Sequence, residues 1–226
     1  MLRILIAEDH EVARQGIRAL LESHPGWEVS AEAKDGREAV EFAESIRPDL
    51  VVLDIGMPNL NGLEAARQIL AASPNVPILI LTMHDSDQVV REVLRAGARG
   101  FLLKSDAGRD LVAAVEALEM NRTFFTTKVS QMVLNGYLDR ENPDCREEVN
   151  EQREREDDAA PVLTSREREV IQLLAEGKTS KEVAVALHLS VKTAETHRTN
   201  LMRKLGLHSV ADLTRYAVRN GIVQVF

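Results

Sequence analysis

The sequence predicts a doubly wound α/β domain with a five-stranded parallel sheet, followed by a small all-α domain of four helices. Three observations carry this. Apolar strand-like runs alternate with amphipathic helical stretches through the first 120 residues. From Leu163 onward the chain reads instead as short helices, each opened by a capping pattern. The charge also changes along the chain. The total is −8 over 226 residues, but residues 1–138 carry −6, residues 139–160 another −6, and residues 161–226 carry +4 with three histidines. An acidic front, an acidic middle and a basic end suggest two domains with different partners.

The front half contains four candidates for buried strands: Arg3–Ala7, Leu50–Leu53, Ile78–Leu81 and Gly100–Leu103. Uninterrupted runs of this length suit strands buried on both faces of a parallel sheet. A fifth run, Trp27–Ala33, alternates and suits an edge strand. Between them, residues 10–23, 35–46, 62–72, 85–96 and 106–120 show helical spacing, for example Val89, Val93, Leu94 and Ala96. Strict alternation implies right-handed βαβ crossovers with helices on both faces.

The strands then place chemistry on one edge, because ligands of open α/β sheets bind at the carboxyl ends of the strands. Strand one ends in Glu8-Asp9, strand three in Asp54, strand four in Thr82 and strand five in Lys104. Taken alone, Asp54 is as well explained as a strand cap. Four strand ends delivering three acids, a hydroxyl and an amine are harder to assign to surface polarity. Hard carboxylate oxygens suit Mg²⁺ (or Mn²⁺), and clustered like charges need a cation or a raised pKa. Asp54, at the centre, is a candidate carboxylate nucleophile toward phosphorus. Lys104 and Thr82 would hold phosphoryl oxygens, and Gly56 would expose a backbone carbonyl to the metal.

Residues 1–120 resemble the receiver domain of two-component response regulators. The matching pieces are Glu8-Asp9, Asp54-Ile55-Gly56-Met57-Pro58 with Gly62, Thr82, and Phe101-Leu102-Leu103-Lys104. The resemblance implies that Asp54 accepts a phosphoryl group from a sensor histidine kinase, with Mg²⁺ held by Glu8, Asp9, Asp54 and the Gly56 carbonyl. It also implies a switch in which Thr82 moves toward the phosphate and Phe101 turns inward behind it, altering the surface from about 83 to 105. Ser105 stands where many receivers have proline after the lysine, which leaves the geometry there open. Gly56 and His84 flank the phosphorylation pocket; Gly56 is expected to leave water access open, and His84 to lie solvated.

Residues 121–138 carry enough apolar side chains for one more helix. Residues 139–160 are almost entirely charged and read as a solvated linker, with Cys145 an incidental thiol. Masking of the basic tail by this acidic run is a sharper expectation. The second domain should have helices at about 165–176, 180–187, 191–205 and 210–220. Thr164-Ser165-Arg166-Glu167 and Thr179-Ser180-Lys181-Glu182 match the capping box, Ser190 and Ser209 are N-cap candidates, and Gly177, Gly206 and Gly221 sit at helix ends. The short His188-Leu189-Ser190 connection suits a helix-turn-helix. On helix 191–205, Ala194, Leu201 and Leu205 share the core line, while Lys192, Thr196, Thr199 and Arg203, with Glu195 beside them, lie opposite. His197 and Arg198 fall toward the inner side.

This second segment resembles the DNA-binding domain of the NarL/FixJ and LuxR group, through Leu163–Val170, Glu176-Gly177, Val183-Ala184 and Ser190–Arg198. The resemblance implies recognition by helix 191–205 and dimerisation through helix 210–220. Lys178, Lys192 and Thr193 would then contact phosphates, and Glu195, Thr196 and Thr199 base edges. The expected domains are a receiver at 1–121, a linker at 122–160 that starts helically, and a LuxR-type helix-turn-helix domain at 161–226. The expected protein is a cytoplasmic transcriptional regulator without a membrane span, activated on Asp54, binding promoter DNA as a homodimer, with RNA polymerase as a further partner. A regulator controlled by protein contacts without phosphate is the alternative. A phosphatase is disfavoured because Gly56 lacks the second acid such enzymes place two residues after the nucleophile.

Overall fold

The computed structural model describes residues 1–83, 86–125, 129 and 163–223. Two compact units account for the chain: Met1–Phe125 with Ala217–Phe226, and Thr126–Tyr216.

The first unit alternates strictly: β1 Leu2–Ala7, α1 Glu11–Glu22, β2 Trp27–Ala33, α2 Gly36–Ile46, β3 Leu50–Asp54, α3 Gly62–Ala72, β4 Ile78–Thr82, α4 Asp87–Arg95, β5 Gly100–Leu103, a 3₁₀ turn Lys104–Asp106, and α5 Ala107–Glu119. The strands pair in the order β2-β1-β3-β4-β5, all parallel. The alternating run Trp27–Ala33 is thus an edge strand, as its pattern suggested. Every residue of β3 and β4 is buried, which explains their unbroken apolar sequences. On one face, Ile4, Ile6, Leu50, Val52, Leu79, Leu81 and Leu102 pack against Ile17 and Leu21 of α1 and Leu111, Ala114, Val115 and Leu118 of α5.

Helix starts follow local chemistry. Asp35 accepts from the amides of Arg37 and Glu38, Asn61 from Glu64, and Ser86 from Val89. The turn after Lys104 is a single 3₁₀ turn, and no cis peptide occurs among the described residues. The expectation of a helix from residue 121 meets a different arrangement. The Phe124 amide donates to the Arg99 carbonyl, and its carbonyl accepts from the Phe101 amide, so Phe124 lies extended along the β5 edge. Val129, within that expected helix, is helical and buried; its residues 126–128 and 130–138, the acidic run 139–160, Cys145 and His84 lie outside the described residues.

In the second part of the chain, α6 Ser165–Ala175, α7 Ser180–Ala186, α8 Val191–Leu205 and α9 Val210–Arg219 follow in order. Thr164 and Thr179 each form the full capping box with Glu167 and Glu182. Ser190 caps α8 through the Thr193 amide at 3.1 Å, and Ser209 accepts from the Asp212 amide at 3.1 Å. Gly206 ends α8 with a φ of 63°, a conformation that favours glycine. Arg166 ties α6 to the Leu187 carbonyl, and Lys204 of α8 reaches Glu167 of α6 at 2.7 Å.

Candidate functional site

The carboxyl ends of β1, β3 and β5 converge on one buried ion cluster. Glu8 is wholly buried and Asp54 nearly so. The Lys104 ammonium lies 3.0 Å from Asp54 Oδ2, and 3.0 and 2.7 Å from the two Glu8 oxygens. Asp9 is at the mouth, partly exposed. Two buried carboxylates therefore share one ammonium, with an Asp9 oxygen within 4.8 Å of Glu8, and the excess negative charge fits a divalent cation with oxygen donors. Glu8, Asp9 and Asp54 are the residues that would hold it. Thr82 ends β4 fully buried, and Phe101 is buried on β5.

Burial is the main reason that the Asp54 carboxyl titrates above its ordinary value; Lys104 opposes it, Glu8's charge adds to it, and a hydrogen bond from the Gly56 amide opposes it. For Lys104, burial works against the charge, but Asp54 and Glu8 together hold its pKa above the ordinary value. An acid raised on folding destabilises the native state as pH climbs from its unfolded value, 3.8, through the folded one, because the unfolded chain releases its proton first. Asp54→Asn should therefore be more stable than wild type at neutral pH in EDTA. The gap should close as pH falls toward 3.8. Denaturant midpoints at neutral and acidic pH measure this; a variant less stable at neutral pH would contradict it.

The loop after β3 is fixed from several directions. The Asn59 amide donates to Asp35 Oδ2 at 2.9 Å, with Asn59 itself at a φ of 64°. The Gly62 amide donates to the Ile55 carbonyl at 3.1 Å. At Gly36 a Cβ would overlap the Leu60 carbonyl oxygen, and at Gly62 it would overlap that of Asp54. Gly56 sits inside this braced turn. Arg14 adds a bond to the Glu8 carbonyl at 2.8 Å. None of Asp35, Asn59 or Arg14 was singled out from sequence. The neighbour His10 also joins the acid pair: its Nδ1 is 2.8 Å from Asp9 Oδ1 and 3.2 Å from Glu8 Oε1. Its only sequence signal was adjacency to Glu8-Asp9.

On α8, Ala194 and Leu201 are buried and Leu205 half-buried, while Lys192, Thr193, Glu195, Thr196, Thr199 and Arg203 are exposed. His197 and Arg198 are half-buried, and Lys178, in the turn before α7, is half-buried too. The Thr196 hydroxyl donates to the Lys192 carbonyl at 2.8 Å and that of Thr199 to the Glu195 carbonyl at 2.9 Å. Each hydroxyl proton is thus engaged within the helix, which leaves the oxygen available as an acceptor.

The family model of the response regulator receiver domain matches residues 4–116, and that of bacterial regulatory proteins of the luxR family matches residues 161–217. The chain is 33% identical over 226 residues to the transcriptional regulatory protein DegU of Brevibacillus brevis, covering 99% of this chain and 96% of that one. This chain is a response regulator of the NarL/FixJ family. The response regulator is likewise 34% identical over 224 residues to the oxygen regulatory protein NreC of Staphylococcus aureus, covering 99% of this chain and all of that one. Among solved structures, it resembles a LuxR-family response regulator from Aurantimonas, with 35% identity, a TM-score of 0.57, and coverage of 61% of this chain and 99% of that one. It also resembles the response regulator RcsB in complex with DNA, with 26% identity, a TM-score of 0.56, and coverage of 97% and 98%. Response regulators with helix-turn-helix domains are regulators rather than enzymes in the usual sense, and receivers generally use Mg²⁺ at the acidic pocket. Among the described residues, no helix is long and apolar enough to cross a membrane.

Proposed function

We propose that this response regulator accepts a phosphoryl group on Asp54 from a sensor histidine kinase, and that the phosphorylated form favours a dimer that binds promoter DNA through α8. The observation that carries the first half is Lys104 bridging Asp54 and Glu8 at 3.0 Å or less, with an Asp9 oxygen within 4.8 Å of Glu8. An Asp54 oxygen attacks phosphorus as the phosphorus–nitrogen bond of the kinase phosphohistidine breaks, and the leaving imidazole takes up a proton. Lys104 meets one phosphoryl oxygen as a point charge, and the Thr82 hydroxyl donates to another. A divalent cation held by Glu8, Asp9, Asp54 and the Gly56 carbonyl would neutralise charge on the phosphoryl oxygens. Thr82, drawn toward the phosphate, vacates space behind it for Phe101. Phosphorylation then need only shift the population toward the binding-competent state.

The test is intact mass after acetyl phosphate, with and without Mg²⁺, on wild type and Asp54→Asn. One phosphoryl group should appear in wild type with metal and in neither control. Equal incorporation by the variant would overturn the assignment of Asp54.

For DNA, Lys178, Lys192 and Thr193 contact phosphates, Arg203 extends the same exposed face, and Glu195, Thr196 and Thr199 read base edges. Those three readers offer acceptors, which suits the amino groups of cytosine N4 and adenine N6 in the major groove. Lys192→Ala should weaken specific and non-specific DNA alike and lower the salt slope by about 1. A changed base preference in a binding assay across salt concentrations would reassign Lys192 to readout.

A further inference from the structure

One residue of the pocket has no part in the phosphotransfer just described. His10 occupies the position before α1, where Ser, Thr, Asp or Asn would accept from the first amides of the helix. Its side chain makes no such cap. The ring turns to the acid pair, with Nδ1 2.8 Å from Asp9 Oδ1 and 3.2 Å from Glu8 Oε1, while its own amide donates to Glu8 Oε1 at 3.2 Å. One ligand atom from each of Glu8, Asp9 and His10 lies within 4.8 Å of the others. Donors in adjacent positions on an octahedral ion with bonds of about 2.1 Å stand about 3 Å apart. The two His10 separations bracket that value. The oxygen side is also rigid: Glu8 is buried, its carbonyl accepts from Arg14, and its carboxylate is held by Lys104.

The donor set decides which ion is favoured. Mg²⁺ prefers oxygen ligands, whereas an imidazole nitrogen raises affinity for first-row transition ions. We propose that His10 supplies a nitrogen ligand to a cation held by Glu8 and Asp9, so that this pocket takes Mn²⁺ or a similar first-row ion in preference to Mg²⁺. This rests on the reading of the pocket as a divalent cation site. The His10 side chain is 58% exposed, so it has room to adjust, and its loss removes no core packing.

The experiment titrates the full-length chain, free of any histidine tag, with Mn²⁺, following the free ion by electron paramagnetic resonance and measuring Mg²⁺ by displacement. His10→Ala should lose about tenfold in Mn²⁺ affinity. Its Mg²⁺ affinity should stay within about twofold. Pulsed resonance should show nitrogen directly bound to Mn²⁺ in wild type and none in the variant. Equal losses for both ions, no loss for either, or an absent nitrogen signal would each overturn the role of His10 while leaving the acidic site in place. A wild-type chain that binds neither ion would overturn the cation site itself, and His10's part with it.

Discussion

Gly62→Ala should cost the first unit about 3 kcal/mol and abolish phosphoryl uptake at Asp54. A Cβ at this position would overlap the Asp54 carbonyl oxygen and stand 2.8 Å from its carbonyl carbon and 3.2 Å from Ile55 Cα. All of these are backbone atoms in or next to a fully buried strand, so none can swing aside as a side-chain tip would. The relief must come from α3 sliding off β3. That motion would break the bond from the Gly62 amide to the Ile55 carbonyl and pull the Ile55–Asn61 turn out of place. Stability and chemistry should therefore fail together, seen as a lowered urea midpoint and a missing mass adduct. Gly16→Ala is the matched control: nothing lies within 4 Å of its Cβ, and it sits inside α1. It should gain about 0.5–1 kcal/mol. A Gly62→Ala chain with a wild-type midpoint would mean that the close approach is not maintained in solution.

Lys104→Met should be the most damaging change among the ionised residues, with a loss of about 3–5 kcal/mol in metal-free solution. Removing the ammonium leaves Glu8 and Asp54 buried with no counter-charge from β5. Because Asp54 and Glu8 raise the Lys104 pKa above 10.5, its stabilising contribution is fully present at neutral pH and fades only in alkali as pH climbs through the raised value. Neutral buffer is thus the right condition for the measurement. Adding Mg²⁺ should restore more stability to Lys104→Met than it adds to wild type, since a bound cation supplies the missing charge. Phosphoryl uptake should stay lost even with metal, because no group replaces the amine at the phosphoryl oxygen. Equal Mg²⁺ effects on the two chains would show that Lys104 and the cation do not share the same carboxylates.

The sequence made the sheet readable because burial on both faces leaves unbroken apolar runs. Leu50–Asp54 and Ile78–Thr82 are buried at every residue, and their ends could be placed within a residue. Parallel alternation then put Glu8, Asp54 and Lys104 on one edge before any distance was known. The helical caps at Thr164, Thr179, Ser190 and Ser209 were readable for a different reason, since each acts over three residues. Contacts lacking both periodicity and short range were not legible. Asn59 meets Asp35 across 24 positions, and Arg14 reaches a backbone carbonyl that has no letter in the sequence. Phe124 shows the same limit. Its apolar neighbours suggested a helix, but two backbone bonds, to Arg99 and Phe101, hold it extended.

That Phe124 segment has a consequence for how the molecule meets its own kind. An outer strand with open amides and carbonyls invites another chain to lengthen the sheet, the first step toward fibrous aggregates. On one side of this sheet, the Phe101 amide and Arg99 carbonyl are already occupied by the chain's own Phe124, and the Arg99 guanidinium clasps the Asn121 carbonyl at 2.7 Å just before it. On the other side, β2 carries Glu28 and Glu32 and meets β1 through a register shift at Ile4/Leu5. Neither border offers a straight, uncharged template. Pairing of copies through either border would have to displace Phe124 or set Glu28 and Glu32 against the incoming strand.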